Sequence, residues 1–132
     1  MTRFAIDAPT ALRLLEDRAD IAPGDALVAP SLLKSQALER LHQEVREGRR
    51  DERAAQELLR GLAGMRIRLL SDRVSRATAW RIATDLALPA TWPAEYLAVA
   101  HLQADVLVTE DEVLLRAADG VVPTAPYASL VR

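Results

Sequence analysis

Residues 95–111, Glu-Tyr-Leu-Ala-Val-Ala-His-Leu-Gln-Ala-Asp-Val-Leu-Val-Thr-Glu-Asp, constrain this chain more than any other stretch. They read as a buried helix, a tight turn and a short apolar strand closed by Thr-x-Asp. A helix that returns at once to a short apolar strand belongs to α/β architecture, where ligand chemistry gathers at the carboxyl ends of the strands. Phe4-Ala5-Ile6-Asp7 is a second apolar strand closed by an acid. Two carboxylates at two strand ends can face each other across one cleft. That arrangement suits a divalent metal, and a metal there suits phosphodiester chemistry.

The rest of the chain continues the alternation. Residues 3–8 suit a buried parallel strand, and Pro9 and Thr10 open a helix with Ala11, Leu12 and Leu15 on its apolar face. Pro23-Gly24-Asp25 is a turn before a strand at 26–29. Ser31 is placed to cap a helix carrying Leu32, Leu33, Ala37, Leu38, Leu41 and Val45, which Gly48 breaks. A third helix holds Ala54, Ala55, Leu58, Leu59 and Leu62 and stops at Gly64. A strand at 67–70 precedes a helix over 74–88 that partly buries Ala77, Trp80, Ile82, Ala83 and Leu86. Pro93 suits the first turn of the next helix, which runs to Gln103. A strand at 106–109, a helix at 110–118 and a short strand at 121–123 complete the chain. The pattern predicts a parallel α/β sheet covered on both faces, in a single domain spanning residues 1–132.

Composition narrows the function. The chain has no cysteine, which excludes disulfides, thiolate metal sites and a cysteine nucleophile and suits a reducing cytoplasm. No signal peptide or run of roughly 20 apolar residues is visible, so a cytoplasmic protein without membrane contact is expected. The net charge of −2 excludes a globally basic nucleic-acid binder. Sixteen of the seventeen basic residues are arginine, the better bidentate phosphate ligand. RNA contact would account for that, as would an arginine-biased genome.

Four separated segments resemble PIN-domain proteins of the VapC toxin type: Asp7-Ala8-Pro9-Thr10-Ala11-Leu12, Ala29-Pro30-Ser31-Leu32-Leu33, Tyr96-Leu97-Ala98-Val99-Ala100, and Leu107-Val108-Thr109-Glu110-Asp111-Glu112-Val113-Leu114. The resemblance covers nearly the whole chain. It implies a three-layer α/β/α sandwich with a short parallel sheet. It also implies an endoribonuclease using Mg²⁺ or Mn²⁺, homodimeric and held inactive by a small antitoxin protein. Similar proteins place four acids around the metal. Asp7 and Asp111 match, whereas Gln36 stands where the family has Glu and Pro93 where it has Asp. A carboxylate about 4 Å from a dication has a gross attraction of roughly 8 kcal/mol at an effective dielectric near 20. Losing two such groups weakens metal affinity, although the Gln36 carbonyl can still coordinate.

Each of these residues also has a plainer role. Asp7 can cap the helix that follows it, and Thr109 can bind a phosphate, bond Asp7 or cap the helix starting at Glu110. Glu39, one turn beyond Gln36, is a candidate substitute acid. Glu95 is rotated about 200° from position 93 and should point away. Glu110 and Glu112 read as a solvated first turn. His42 and His101 read as helix-surface residues, Trp80, Trp92 and Tyr96 as core or interface anchors, and the mixed-charge run 46–53 as a solvated helix junction. Two functions compete. One is a metal-dependent ribonuclease with Asp7 and Asp111 as ligands, Gln36 assisting and Thr109 near the substrate. The other is a non-catalytic protein on the same scaffold that binds RNA or an antitoxin, or dimerises.

Overall fold

The computed structural model describes residues 1–131. Its elements run β1 (Arg3–Ile6), α1 (Ala8–Glu16), β2 (Ala26–Pro30), α2 (Leu32–Arg46), α3 (Glu52–Gly64), β3 (Arg68–Leu70), α4 (Arg73–Asp85), α5 (Trp92–Gln103), β4 (Val106–Val108), α6 (Glu112–Ala118), β5 (Thr124–Ala125) and a final 3₁₀ turn, Tyr127–Ser129. All strand pairs are parallel, in the order β3-β2-β1-β4-β5. Every strand therefore ends at the same edge of the sheet.

Side-chain alternation along the strands builds the three layers. Phe4 and Ile6 point to one face, where Leu27, Ala29 and Val108 join the apolar sides of α1, α2 and α3. Ala5, Val28 and Leu107 point to the other face, against Leu97 and Val99 of α5 and Ala117 and Ala118 of α6. The α4 helix then stacks on the outside of α5 through Ala79 and Ala83 against Ala94 and Ala98. Helix α5 thus lies between the sheet and another helix, which is why it is apolar nearly all round. Among the described residues no helix is long and apolar enough to cross a membrane.

Several boundaries move from the sequence expectation, each for a local reason. Helix α4 stops at Asp85 because Ala87 is left-handed, with φ +51°, and the Leu88 N–H closes on the Ala83 carbonyl. The final strand is Thr124–Ala125 and not 121–123, because the N–H groups of Val121 and Val122 both turn back onto the Ala118 carbonyl. Ser31 occupies the cap position of α2 but is already helical, and its side chain makes no capping bond. Trp80 and Ala77 are not partly buried: both face solvent, Trp80 with 71% of its surface exposed. The charged 46–53 junction is also less solvated than its composition suggests. Arg50 donates to Glu44 at 3.0 Å and to Glu16 at 2.8 Å, tying α1 to the end of α2.

Leu97 is fully buried where α5 meets the sheet. Leu97→Ala should lower the unfolding free energy by about 3 kcal/mol through lost transfer energy and a residual cavity. Urea titration of both proteins measures it, and a loss under about 1 kcal/mol would contradict the packing described.

Candidate functional site

The sheet order places the crevice. From β1 the chain moves to β2 and β3 on one side, then crosses to β4 on the other. Helix α1 covers one face and α6 the opposite face, so a crevice opens beyond the ends of β1 and β4, as at other topological switch points. Asp7 begins α1 and Asp111 begins α6. Because Ile6 pairs with Val108, the next residues in each strand, Asp7 and Thr109, lie side by side.

Hydrogen bonds fix both acids. Asp7 Oδ1 accepts the Thr10 N–H at 3.0 Å, and Oδ2 accepts the Thr109 hydroxyl at 2.6 Å. Thr109 Oγ1 in turn accepts the Asp111 N–H at 3.1 Å, and Asp111 Oδ1 accepts the Leu114 N–H at 3.0 Å. Asp111 is therefore the cap of α6, which is why that helix starts at Glu112 and not at 110. Asp7 and Thr109 are both buried.

Asp7, Gln36 and Asp111 line one cavity of about 270 Å³, together with Glu39, Arg40 and Trp92. A second lobe of about 260 Å³ shares Asp7, Asp111 and Arg40 and adds Arg13, Glu110 and Tyr127. A larger depression of about 740 Å³ lies by the 19–25 loop and Met65, and neither acid lines it. The sequence-predicted residues 7, 36 and 111 thus meet. Thr109 stands behind Asp7 with its proton committed to that carboxylate. Pro93 is buried in the first turn of α5 and lines neither lobe; its neighbour Trp92 does. Glu95 also lies outside both lobes, and burial raises its carboxyl above the ordinary range. Glu39 lines the first lobe and accepts from Gln43. Glu110 lines the second and pairs with Arg13 at 3.0 Å, while Glu112 remains exposed. His42 and His101 are exposed.

Sequence reasoning missed Arg40, which among the described residues is the one arginine that lines both lobes. It sits four residues beyond Gln36, hence on the same face of α2, and that spacing was the available signal. Tyr96 is the anchor that the sequence suggests, and it is fully buried. Its hydroxyl also donates to Gln36 Oε1 at 2.6 Å. Burial first, and then the charge of Asp7, push its phenol well above the usual range.

The donor set is sparse. Among the described residues no three His, Cys, Asp or Glu groups are placed to hold one ion. Asp7, Asp111 and the Gln36 amide oxygen line the cleft, and one lone-pair site of that amide is taken by Tyr96. Mg²⁺ commonly needs only one or two carboxylates beside water and phosphate oxygens, so these residues fit a hard, oxygen-liganded cation held with little charge.

No family model and no curated protein sequence matches the chain. Solved structures do. The crystal structure of PAE2754 from Pyrobaculum aerophilum matches with a TM-score of 0.73 and 26% identity, over 97% of this chain and 91% of that one. VapBC-1 from nontypeable Haemophilus influenzae matches with a TM-score of 0.64 and 13% identity, over 96% and 98%. VapBC2 from Rickettsia felis, bound to a DNA fragment from its promoter, matches with a TM-score of 0.67 and 9% identity, over 94% and 98%. The chain has the PIN-domain fold of VapC type. In this PIN fold the three layers and the parallel sheet agree with the architecture expected from the sequence.

The two buried phenols predict an alkaline limit. Tyr96 is held far above its ordinary 10.0, and burial together with Asp17 pushes Tyr127 up to about 12. The folded state thus binds both phenolic protons more tightly than the unfolded state does. That contribution is fully present below about pH 10 and is lost as pH rises above it. Unfolding free energy measured in urea should therefore fall between about pH 10 and 12. Tyr96→Phe should cost about 1 kcal/mol at neutral pH and flatten the alkaline slope; an unchanged slope would sink the assignment.

Proposed function

We propose that this chain is a VapC-like protein, ancestrally a metal-dependent endoribonuclease, whose catalysis is weak or lost. The observation that carries the reading is the convergence of Asp7, Gln36 and Asp111 on one cavity at the carboxyl edge of the sheet. Of the four acidic positions implied by the family resemblance, two hold Gln36 and Pro93.

In the active form of this reading, Asp7 and Asp111 hold Mg²⁺ or Mn²⁺, and Gln36 assists through its amide oxygen or a water. The ion, when bound, supplies charge stabilisation at the phosphate and activates water. The chain's own residues then do the positioning. Thr109 fixes the Asp7 carboxylate and, through its accepted N–H bond, the backbone of Asp111. Asp111 Oδ1 accepts the Leu114 N–H, so Oδ2 is the better placed of its oxygens to reach a ligand. Tyr96 holds the Gln36 side chain by its oxygen. RNA is the substrate, and a small antitoxin-like protein and a second copy of the chain are the partners.

The Tyr96–Gln36 bond also favours a second reading. A site whose amide oxygen serves a tyrosine and whose remaining family acid is a proline suits a non-catalytic protein that binds RNA or an antitoxin. An amide and not a carboxylate at position 36 also means less mutual repulsion in the cleft.

Calorimetric Mn²⁺ titration and RNA cleavage by the purified, partner-free chain separate the readings. Weak nuclease activity that vanishes with EDTA and with Asp7→Asn supports the first. No binding at millimolar Mn²⁺ and no cleavage supports the second. In either case Gln36→Glu should raise Mn²⁺ affinity at least about tenfold. A carboxylate at position 36 can still accept the Tyr96 hydroxyl, so the local fold should persist. An unchanged affinity would mean that position 36 does not belong to the site.

A further inference from the structure

The outer face of α4 carries chemistry that the Asp7–Asp111 cleft does not use. Its buried side, Ser75, Thr78, Ala79 and Ala83, packs toward α5. Trp80 lies on the opposite side with 71% of its surface exposed. Arg73, Arg76 and Thr84 are seven and four residues before it and four after it, so all share its face. An indole this exposed is a large apolar surface kept in water.

The charge around it is one-sided. Residues 65–85 hold five arginines, at 66, 68, 73, 76 and 81, against two acids, Asp72 and Asp85, in a chain whose net charge is −2. All five are exposed. Among the described residues none of them forms a salt bridge, while Arg49, Arg50, Arg53 and Arg116 all do. Asp72 itself is spent on the N–H and hydroxyl of Ser75 at the cap of α4. The position of the patch also matters. Helix α4 begins just past the carboxyl end of β3, the edge that carries Asp7 and Asp111, so Arg73 and Arg76 lie toward the crevice side of the domain.

We infer that the outer face of α4 binds single-stranded nucleic acid, with Trp80 stacking on a base and Arg73 and Arg76 contacting flanking phosphates. An exposed aromatic ring among arginines without acidic partners is complementary to a flexible polyanion whose bases are free to stack. Duplex bases are already stacked and offer the ring no face. A second copy of this chain would bring another surface of the same sign, which opposes pairing of the two α4 faces. The inference deepens the RNA reading but does not depend on metal binding or cleavage.

The test is titration of the full chain, with EDTA present, by a fluorescently labelled oligouridylate of about 12 nucleotides, read by anisotropy, and by the unlabelled oligomer, read by Trp80 emission in the Trp92→Phe background. Binding should quench Trp80. Trp80→Ala and, separately, Arg73→Glu with Arg76→Glu should each weaken binding at least about fivefold, the second also lowering the slope of log affinity against log salt. These positions are exposed, so circular dichroism should stay unchanged in every variant. Equal affinity for a duplex of the same length, or for Trp80→Ala, would overturn the inference. So would sedimentation showing that Trp80→Ala converts a dimer to a monomer, which would make the face a self-association surface. Loss of oligomer binding with intact Mn²⁺ binding or cleavage would be assigned to α4, and the reverse pattern to the cleft.

Discussion

The structure turns on the Asp7 carboxylate. One of its oxygens accepts the Thr10 N–H and so starts α1. The other accepts the Thr109 hydroxyl from the neighbouring strand. Thr109 passes the constraint to the Asp111 N–H, and Asp111 starts α6. This short chain of bonds joins the ends of two strands to the beginnings of two helices on opposite faces of the sheet. A buried carboxylate is tolerated only when its oxygens are satisfied, and here every bond that satisfies it also sets the geometry of the crevice. Capping and site-building are the same interactions seen from two sides.

The same economy explains the Gln36 position. A buried phenol at residue 96 requires an acceptor, and Gln36 supplies it from α2 across the cleft. A glutamate there would also accept that proton, more strongly and with a charge. Glutamine makes the link between α2 and α5 without adding a negative charge to a pocket that already holds Asp7 and Asp111. Pro93 lies outside that pocket and is favourable in the first turn of α5, where its missing N–H is not needed. Both residues suit the scaffold, and of the two it is Gln36 that bears on the electrostatics of the cleft. This separates fold from chemistry in the way that function on a shared scaffold generally does.

Much of this was legible in the sequence because it is written in local signals. Apolar runs at 4–6 and 106–108, each followed by an acid, mark both strands and the Asp7 cap without any coordinates. The family resemblance marks positions 36 and 93; the structure brings Gln36 to the cleft and leaves Pro93, like Glu95, outside both lobes. The failures have a different physical origin. Trp80 reads as partly buried when hydrophobicity is taken as a guide to inside and outside; the helix buries Ser75, Thr78, Ala79 and Ala83 instead, since close approach of α4 to α5 requires small side chains. Arg40 is missed because a single arginine among sixteen carries no pattern, and only the closing of α2 over the strand ends makes it part of a site. Arg50 reads as solvated for a similar reason: its partner Glu16 is 34 residues away, outside the reach of any local reading.

Arg40 and the arginines of α4 bear on one question, which is how a protein of net negative charge meets a polyanion. The cleft itself is acidic: Asp7, Asp111, Glu39 and Glu110 line its two lobes against Arg40 and Arg13, and Arg13 is already engaged by Glu110 and stacked over Tyr127. Without a bound cation such a cleft repels phosphate at short range. Long-range attraction must then come from elsewhere on the surface, and screening limits its reach to about 10 Å at moderate salt. A cationic face that starts at the same sheet edge meets that requirement. Contacts on α4 could hold a strand near the crevice whether or not the crevice holds a metal. The neutral side chain of Gln36 adds nothing to the repulsion in the cleft, so a strand held on α4 meets a lower barrier there than another carboxylate would set.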